Sequence, residues 1–258
     1  MYELRRYLPR ILVSIGIMVT CTLLSSNVLA VGQRLNAVYI VQGGGGISVD
    51  SAVFAIILAC TPPFAFCYLF SEMLNDDFAK AGIFVFTRTQ SRARWLGVRL
   101  TQLCLIVAAY YIVSYWVSVM LLLAGDTADA WQQSIELFLP LLLLNVLMTC
   151  TLLIPINVWA VRFNPLFSFL AVMTLHLVSI FVCSAGISSV SHAFSPLPYI
   201  LPSAQGVFSW HETTFSQSFG HDGMLAGFSL EYSYVYLFIL IILELLCSVR
   251  YIQKIDLL

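Results

Sequence analysis

Four ionisable or amide side chains stand out inside otherwise apolar stretches as candidates for chemistry. Glu244 stands within residues 232–251, His176 within 166–187, and Asn145 and Asn157 within 137–161. A carboxylate is costly in hydrocarbon, so Glu244 must face other helices or water. It reads either as a pathway-lining residue or as a helix-packing hydrogen bond. His176 and the two asparagines carry the same pair of readings. A second group, His192, His211, Glu212, His221 and Asp222, shares one polar stretch. Imidazole and carboxylate suit several divalent ions, yet these spacings match no compact site, so no metal is expected. There is no G-x-S-x-G elbow, no H-E-x-x-H pair and no Walker sequence. Ser188 and Ser189 stand at a span edge without the context of a nucleophile. The chain is therefore not expected to be an enzyme, and any ATP used with it must be bound by another polypeptide.

The elements that hold these residues follow from composition. Hydrophobic residues make up 60% of the 258 and charged residues only 10%. Soluble chains carry about 25% charged residues, so this one has too little polar surface to cover a water-exposed fold. A hydrocarbon core needs roughly 20 apolar helical residues to cross it. Six stretches qualify, near residues 11–31, 52–70, 103–124, 137–161, 166–187 and 232–251. They are long and apolar on every face, which suits helices and not the alternating strands of a barrel. The expected fold is all-α and polytopic, a single transmembrane domain over residues 1–258. Pro62-Pro63 and Pro155 remove backbone donors within the second and fourth spans and are expected to bend them.

Basic residues orient the spans. Arg5, Arg6, Arg10, Lys80, Arg88, Arg92, Arg94, Arg99, Arg162, Arg250 and Lys254 fall on one side of a six-crossing layout, and only Arg34 falls on the other. That asymmetry puts both termini in the cytoplasm. The first span ends in Val28-Leu29-Ala30, which looks like a signal cleavage site, but its apolar run exceeds the usual 7–15 residues of a signal peptide, so a retained helix is expected. The seven cysteines all lie in spans with no C-x-x-C spacing and read as small buried apolar residues. Gly43-Gly44-Gly45-Gly46, in the first outer loop, has no following Lys-Ser or Lys-Thr and reads as a flexible connection.

Two connections stand out. The inner one, residues 71–102, begins with Glu72, Asp76, Asp77 and Phe78 and ends in Arg88, Arg92, Arg94, Trp95 and Arg99. On a helix Arg88, Arg92, Trp95 and Arg99 share one face. The arginines alone could mark topology and touch anionic lipid headgroups. The acids would be repelled by such lipid, so they imply a protein partner or an internal salt bridge. The outer connection, residues 188–231, has no Lys or Arg. Its run from Ser195 to Pro202 is apolar but broken by three prolines, which suits either a re-entrant segment or a loop on the membrane surface.

The stretch Phe84-Val85-Phe86-Thr87-Arg88-Thr89-Gln90-Ser91-Arg92-Ala93-Arg94-Trp95, the run Tyr199-Ile200-Leu201-Pro202 and the ending Tyr251-Ile252-Gln253-Lys254-Ile255-Asp256-Leu257 carry a resemblance. The chain resembles the type 2 ABC transporter permeases, closest to the small six-helix permeases of lantibiotic and bacteriocin export or immunity. That resemblance implies a subunit of the bacterial cytoplasmic membrane. It implies a pathway formed with a second, identical or related permease. It also implies a separate cytosolic ATPase that holds ATP and Mg, while this chain holds no cofactor and binds no nucleic acid. It makes residues 71–102 the coupling region, with Glu72, Asp76, Asp77, Phe78, Arg88, Arg92 and Arg94 facing the ATPase. Glu244, His176, Asn145 and Asn157 are the candidates for the transport pathway. Two other readings remain: an ATP-independent secondary transporter or channel, and a non-transporting membrane scaffold or sensor.

Overall fold

The computed structural model describes residues 2–28, 35–43, 53–78, 92–124, 127–189, 196–215, 225 and 227–253, and for 2–6, 28, 36, 53–56, 92 and 185–189 the backbone alone. Among them every regular element is helical. The helices are α1 (Tyr2–Val28), α2 (Leu35–Gly43), α3 (Val53–Phe70), α4 (residues 73–78), α5 (Arg92–Leu122), α6 (Ala128–Ala160), α7 (Pro165–Ser189), α8 (Leu197–Ile200), α9 (Pro202–Gln205) and α10 (Leu230–Gln253), with a 3-10 turn at Phe208–Trp210. Six spans are long and apolar enough to cross a membrane: Tyr7–Asn27, Ile57–Phe78, Ala93–Leu122, Ala128–Ala160, Pro165–Ser184 and Leu230–Gln253. They lie where the six apolar stretches were expected.

The third and fourth spans run well beyond the apolar stretches that announced them. α5 takes in Arg92–Gln102, and α6 begins at Ala128. Helix propagation continues past the hydrocarbon boundary because each further residue adds a backbone bond at little cost once the helix exists. Pro62, Pro63, Pro140 and Pro155 all sit inside unbroken helices.

Arg10, Arg94, Arg99, Arg162 and Arg250 gather at one end of the bundle, here called the basic end. There α3 breaks at Ser71–Glu72 and resumes as α4. The break exposes backbone groups, and two side chains satisfy them. Arg10 of α1 donates from Nη1 to the Leu69 carbonyl at 3.0 Å. Asn157 of α6, fully buried, accepts the Leu74 N–H at 3.2 Å and donates to the Phe70 carbonyl at 3.0 Å. Asn157 is thus a clamp across the break, at the basic end of α6. Beneath it lies an aromatic column in which Phe66 stacks on Phe70 at 4.6 Å and on Tyr110 at 4.4 Å, joining α3 to α5.

At the opposite end the structure departs from an open-loop picture. Residues 35–43, expected to belong to a loop, form α2, whose described side chains are all buried. Of the proline-broken run, Leu197 and Ile200 are exposed, but the segment that follows it is buried: Ala204, Gln205, Phe208 and His211 are fully enclosed. Tyr39 of α2 meets Phe208 edge-on at 5.8 Å. Two short segments therefore dip into the bundle from that end. Gly43 closes α2, and Gly44, Gly45 and Gly46 lie outside the described residues.

Replacing Asn157 with Leu leaves the buried Leu74 N–H and Phe70 carbonyl unpaired. At about 1–3 kcal/mol for each group, Asn157→Leu should destabilise the fold by about 2–6 kcal/mol. Thermal unfolding of the detergent-purified protein measures it, and a melt matching the parent would refute the clamp.

Candidate functional site

The two dipping segments meet the spans around a small chamber of about 60 Å³. Its walls come from α1 (Met18), α2 (Gln42), α3 (Ala59, Cys60, Pro63), α5 (Tyr111), α6 (Asn145, Met148, Thr149) and α7 (His176), with Ser203 and Gly206 from the broken segment. His176 stands thirteen residues from the Ser189 end of α7, which is ~20 Å along its axis. Both dipping segments thus reach the middle of the bundle, as a re-entrant segment would.

The chamber's hydrogen bonds close the ends of those segments. α2 is described as far as Gly43, and the Gln42 carbonyl near its end has a side-chain donor. Asn145 Nδ2 donates to the Gln42 carbonyl at 2.9 Å. His176 Nδ1 lies 2.9 Å from Ser203 Oγ and holds α9 against α7. Tyr111 and Thr149 share a hydroxyl bond of 2.8 Å between α5 and α6. Gln42 Nε2 is buried and has no hydrogen-bond partner.

Of the four polar residues picked out from the spans, the structure brings two together. Asn145 and His176 face the same chamber. Asn157 instead clamps the basic end. Glu244 lies apart from the chamber, with Oε2 buried and without a hydrogen-bond partner, on the side of α6 that carries Cys150. Gln42 and Ser203 were not singled out by sequence, since a glutamine in a short loop and a serine after a proline are ordinary there.

The described parts of residues 71–102 pack back on the bundle. Asp77 Oδ2 lies 3.1 Å from Arg99 Nε, both side chains largely buried. Phe78 meets Trp95 edge-on at 5.4 Å, and Glu72 lies 3.9 Å from Arg10. The acids that called for either a partner or an internal pair have internal pairs at Asp77 and Glu72. Trp95 and Arg99 share a face of α5, as their spacing predicts, and that face meets α4. Arg94 is exposed and Asp76 half-buried. Arg88 lies outside the described residues, as do residues 79–91, and the Arg92 side chain is not described.

Of the histidine group, His192, His221 and Asp222 lie outside the described residues. Glu212 caps a turn by accepting the N–H of Gly227, whose φ of +76° favours glycine. His211 belongs to a buried relay. Gln205 Nε2 donates to the Pro198 carbonyl at 2.7 Å, which Pro202, lacking an N–H, cannot serve. Ser233 of α10 donates to Gln205 Oε1 at 2.6 Å. His211 Nε2 lies 2.6 Å from Ser233 Oγ, and Nδ1 lies 2.9 Å from the Val207 carbonyl. Both ends of this relay are carbonyls, which only accept. Gln205, Ser233 and a neutral imidazole supply one proton each, so the link between Ser233 and His211 is filled only when the ring is charged. Opposing this is burial. A charge enclosed without a bonded carboxylate costs several kcal/mol, against about 1.5–3 for a charged hydrogen bond. Burial wins and pushes His211 down to about 4, while the Phe208 and Val207 carbonyls and Glu231 pull the other way. Among the described residues no three His, Cys, Asp or Glu are grouped to hold a metal ion.

A family model described as a protein of unknown function, DUF2705, matches residues 13–258, and the chain belongs to that family. Neither a curated protein nor a solved structure matches it.

Gly206 sits against Met148, and a Cβ there would fall 2.5 Å from Met148 Cγ and 2.9 Å from Sδ. Overpacking of this kind costs about 1–3 kcal/mol, so Gly206→Ala should lower the melting temperature, and an unchanged melt would show that Met148 moves freely. For His211 the native value near 4 lies below the usual 6.5. Its contribution to stability is complete above pH ~6.5 and is lost as pH falls toward 4. Protection of the amides over residues 196–215, taken relative to their intrinsic exchange rates at each pH, should fall across that window, and His211→Gln should remove this dependence.

Proposed function

We propose that this member of the DUF2705 family is the membrane-spanning subunit of an ATP-driven exporter of the type 2 ABC class, working as a dimer and docking a separate cytosolic ATPase. On the positive-inside rule the basic end lies in the cytoplasm, with both termini, and the dipping segments enter from outside. The membrane is then the bacterial cytoplasmic membrane. The observation that carries the reading is α4. It stands at the basic end as a short lever tied to α6 through Asn157, and to α5 through Asp77–Arg99 and Phe78–Trp95. A push on such an element reaches two spans as a rigid movement, which is what coupling to an ATPase stroke needs. ATP and Mg are held by the ATPase, while Glu72, Asp76, Arg88, Arg92 and Arg94 supply its docking charges.

A second reading has its own support. Two segments dipping to a polar chamber at mid-bundle resemble the discontinuous helices of secondary transporters. An ATP-independent carrier built on that chamber would be limited to solutes of a few atoms.

Co-purification separates them. An ATPase with Walker motifs should accompany the native protein out of the membrane. Asp76→Lys/Asp77→Lys should insert normally, lose the ATPase and export roughly tenfold less, the scale of removing about 1.4 kcal/mol of coupling. The exchange Asp77→Arg/Arg99→Asp restores the internal pair and serves as the control for folding. Full export by the reversed variant would sink the exporter reading.

A further inference from the structure

We infer that the mid-bundle chamber is a hydration site, holding a cluster of about four water molecules and not cargo or a cation. Volume sets the first limit. At 60 Å³ the chamber is far smaller than the ~300–1,000 Å³ pockets that enclose organic ligands. One water needs ~10–15 Å³ on this scale.

The lining sets the second limit. Gln42, 6% exposed, has an amide Nε2 with no partner. Pro63 has no N–H for the Ala59 carbonyl, and both residues line the chamber. Asn145 keeps Oδ1 after its Nδ2 is used on Gln42, and His176 keeps Nε2 after Nδ1 is used on Ser203. Water donates and accepts, so it answers an orphan donor and an orphan acceptor at once. A cation would meet the Gln42 N–H groups with the wrong sign, and no carboxylate lines the walls. An empty chamber would leave these groups unpaired between apolar spans, the costly alternative.

Such water has a mechanical consequence. Proline-bearing α3 and the two dipping segments can shift against α6 and α7 while water re-forms the lost bonds. The chamber then acts as a pivot. This rests on the chamber alone and is independent of ATP coupling.

The test is radiolytic hydroxyl-radical footprinting of the full-length protein in nanodiscs, because radicals formed from bound water oxidise the side chains beside it. Met18 and Met148 line the chamber at 1% and 8% exposure. Met73 and Met173, each at 2%, do not line it and serve as matched controls. Met18 and Met148 should oxidise roughly tenfold faster than the controls, with ¹⁸O incorporated from labelled water. Gln42→Leu should at least halve the Met148 rate. Rates equal to the controls in the parent protein would show a dry chamber and overturn the inference. So would a rise in melting temperature specific to Na⁺ or K⁺ over choline that Asn145→Leu abolishes, since that assigns the chamber to a cation.

Discussion

Within hydrocarbon every backbone N–H and carbonyl must be answered by the protein itself, and the features that distinguish this bundle follow from that demand. Regular helices meet it internally. Each interruption needs a named polar side chain. The break after Phe70 is answered by Asn157 and Arg10, and the Gln42 carbonyl of α2 receives Asn145. The turn before Pro202 is answered by Gln205, Tyr232 and Tyr236, whose side chains donate to the carbonyls of Pro198, Tyr199 and Ile200. Charged residues are scarce in this chain, and the buried amides of Asn157, Asn145 and Gln205 are spent on carbonyls at or beside the short and broken segments.

The two ends of the molecule use this device differently. At the basic end one clamp, a largely buried ion pair and an aromatic pair lock α4 to its neighbours. Charged pairs gain from this half-enclosed setting, where screening is weak but solvent still lowers the cost of burial. At the other end the contacts are neutral hydroxyl, amide and imidazole bonds around short broken segments. Neutral bonds are individually weaker and exchange readily with water. The basic end is therefore built to move as a unit, and the opposite end to rearrange locally.

Much of this organisation was legible in the sequence. Length and apolarity are local properties, so the six spans could be read directly, while the proline-broken run before the last span left a re-entrant segment and a surface loop as equal readings. The acids at Glu72 and Asp77 were legible as unusual, with an internal pair among their explanations. α2 was not legible. Its nine residues are too few to cross a membrane, and its helicity depends on walls supplied by α1, α3 and α6.

The sequence by itself determined the helical class, the number of spans, their alternation of charge and the short roll of polar residues inside them. Only the tertiary structure decided what those residues do. It placed Asn145 and His176 at one chamber, made Asn157 a clamp and set Glu244 apart. The reason is distance along the chain. Asn145 meets Gln42 across 103 residues, and Asn157 meets Leu74 across 83. No local pattern encodes a pairing between a buried amide and a carbonyl that distant helices bring together.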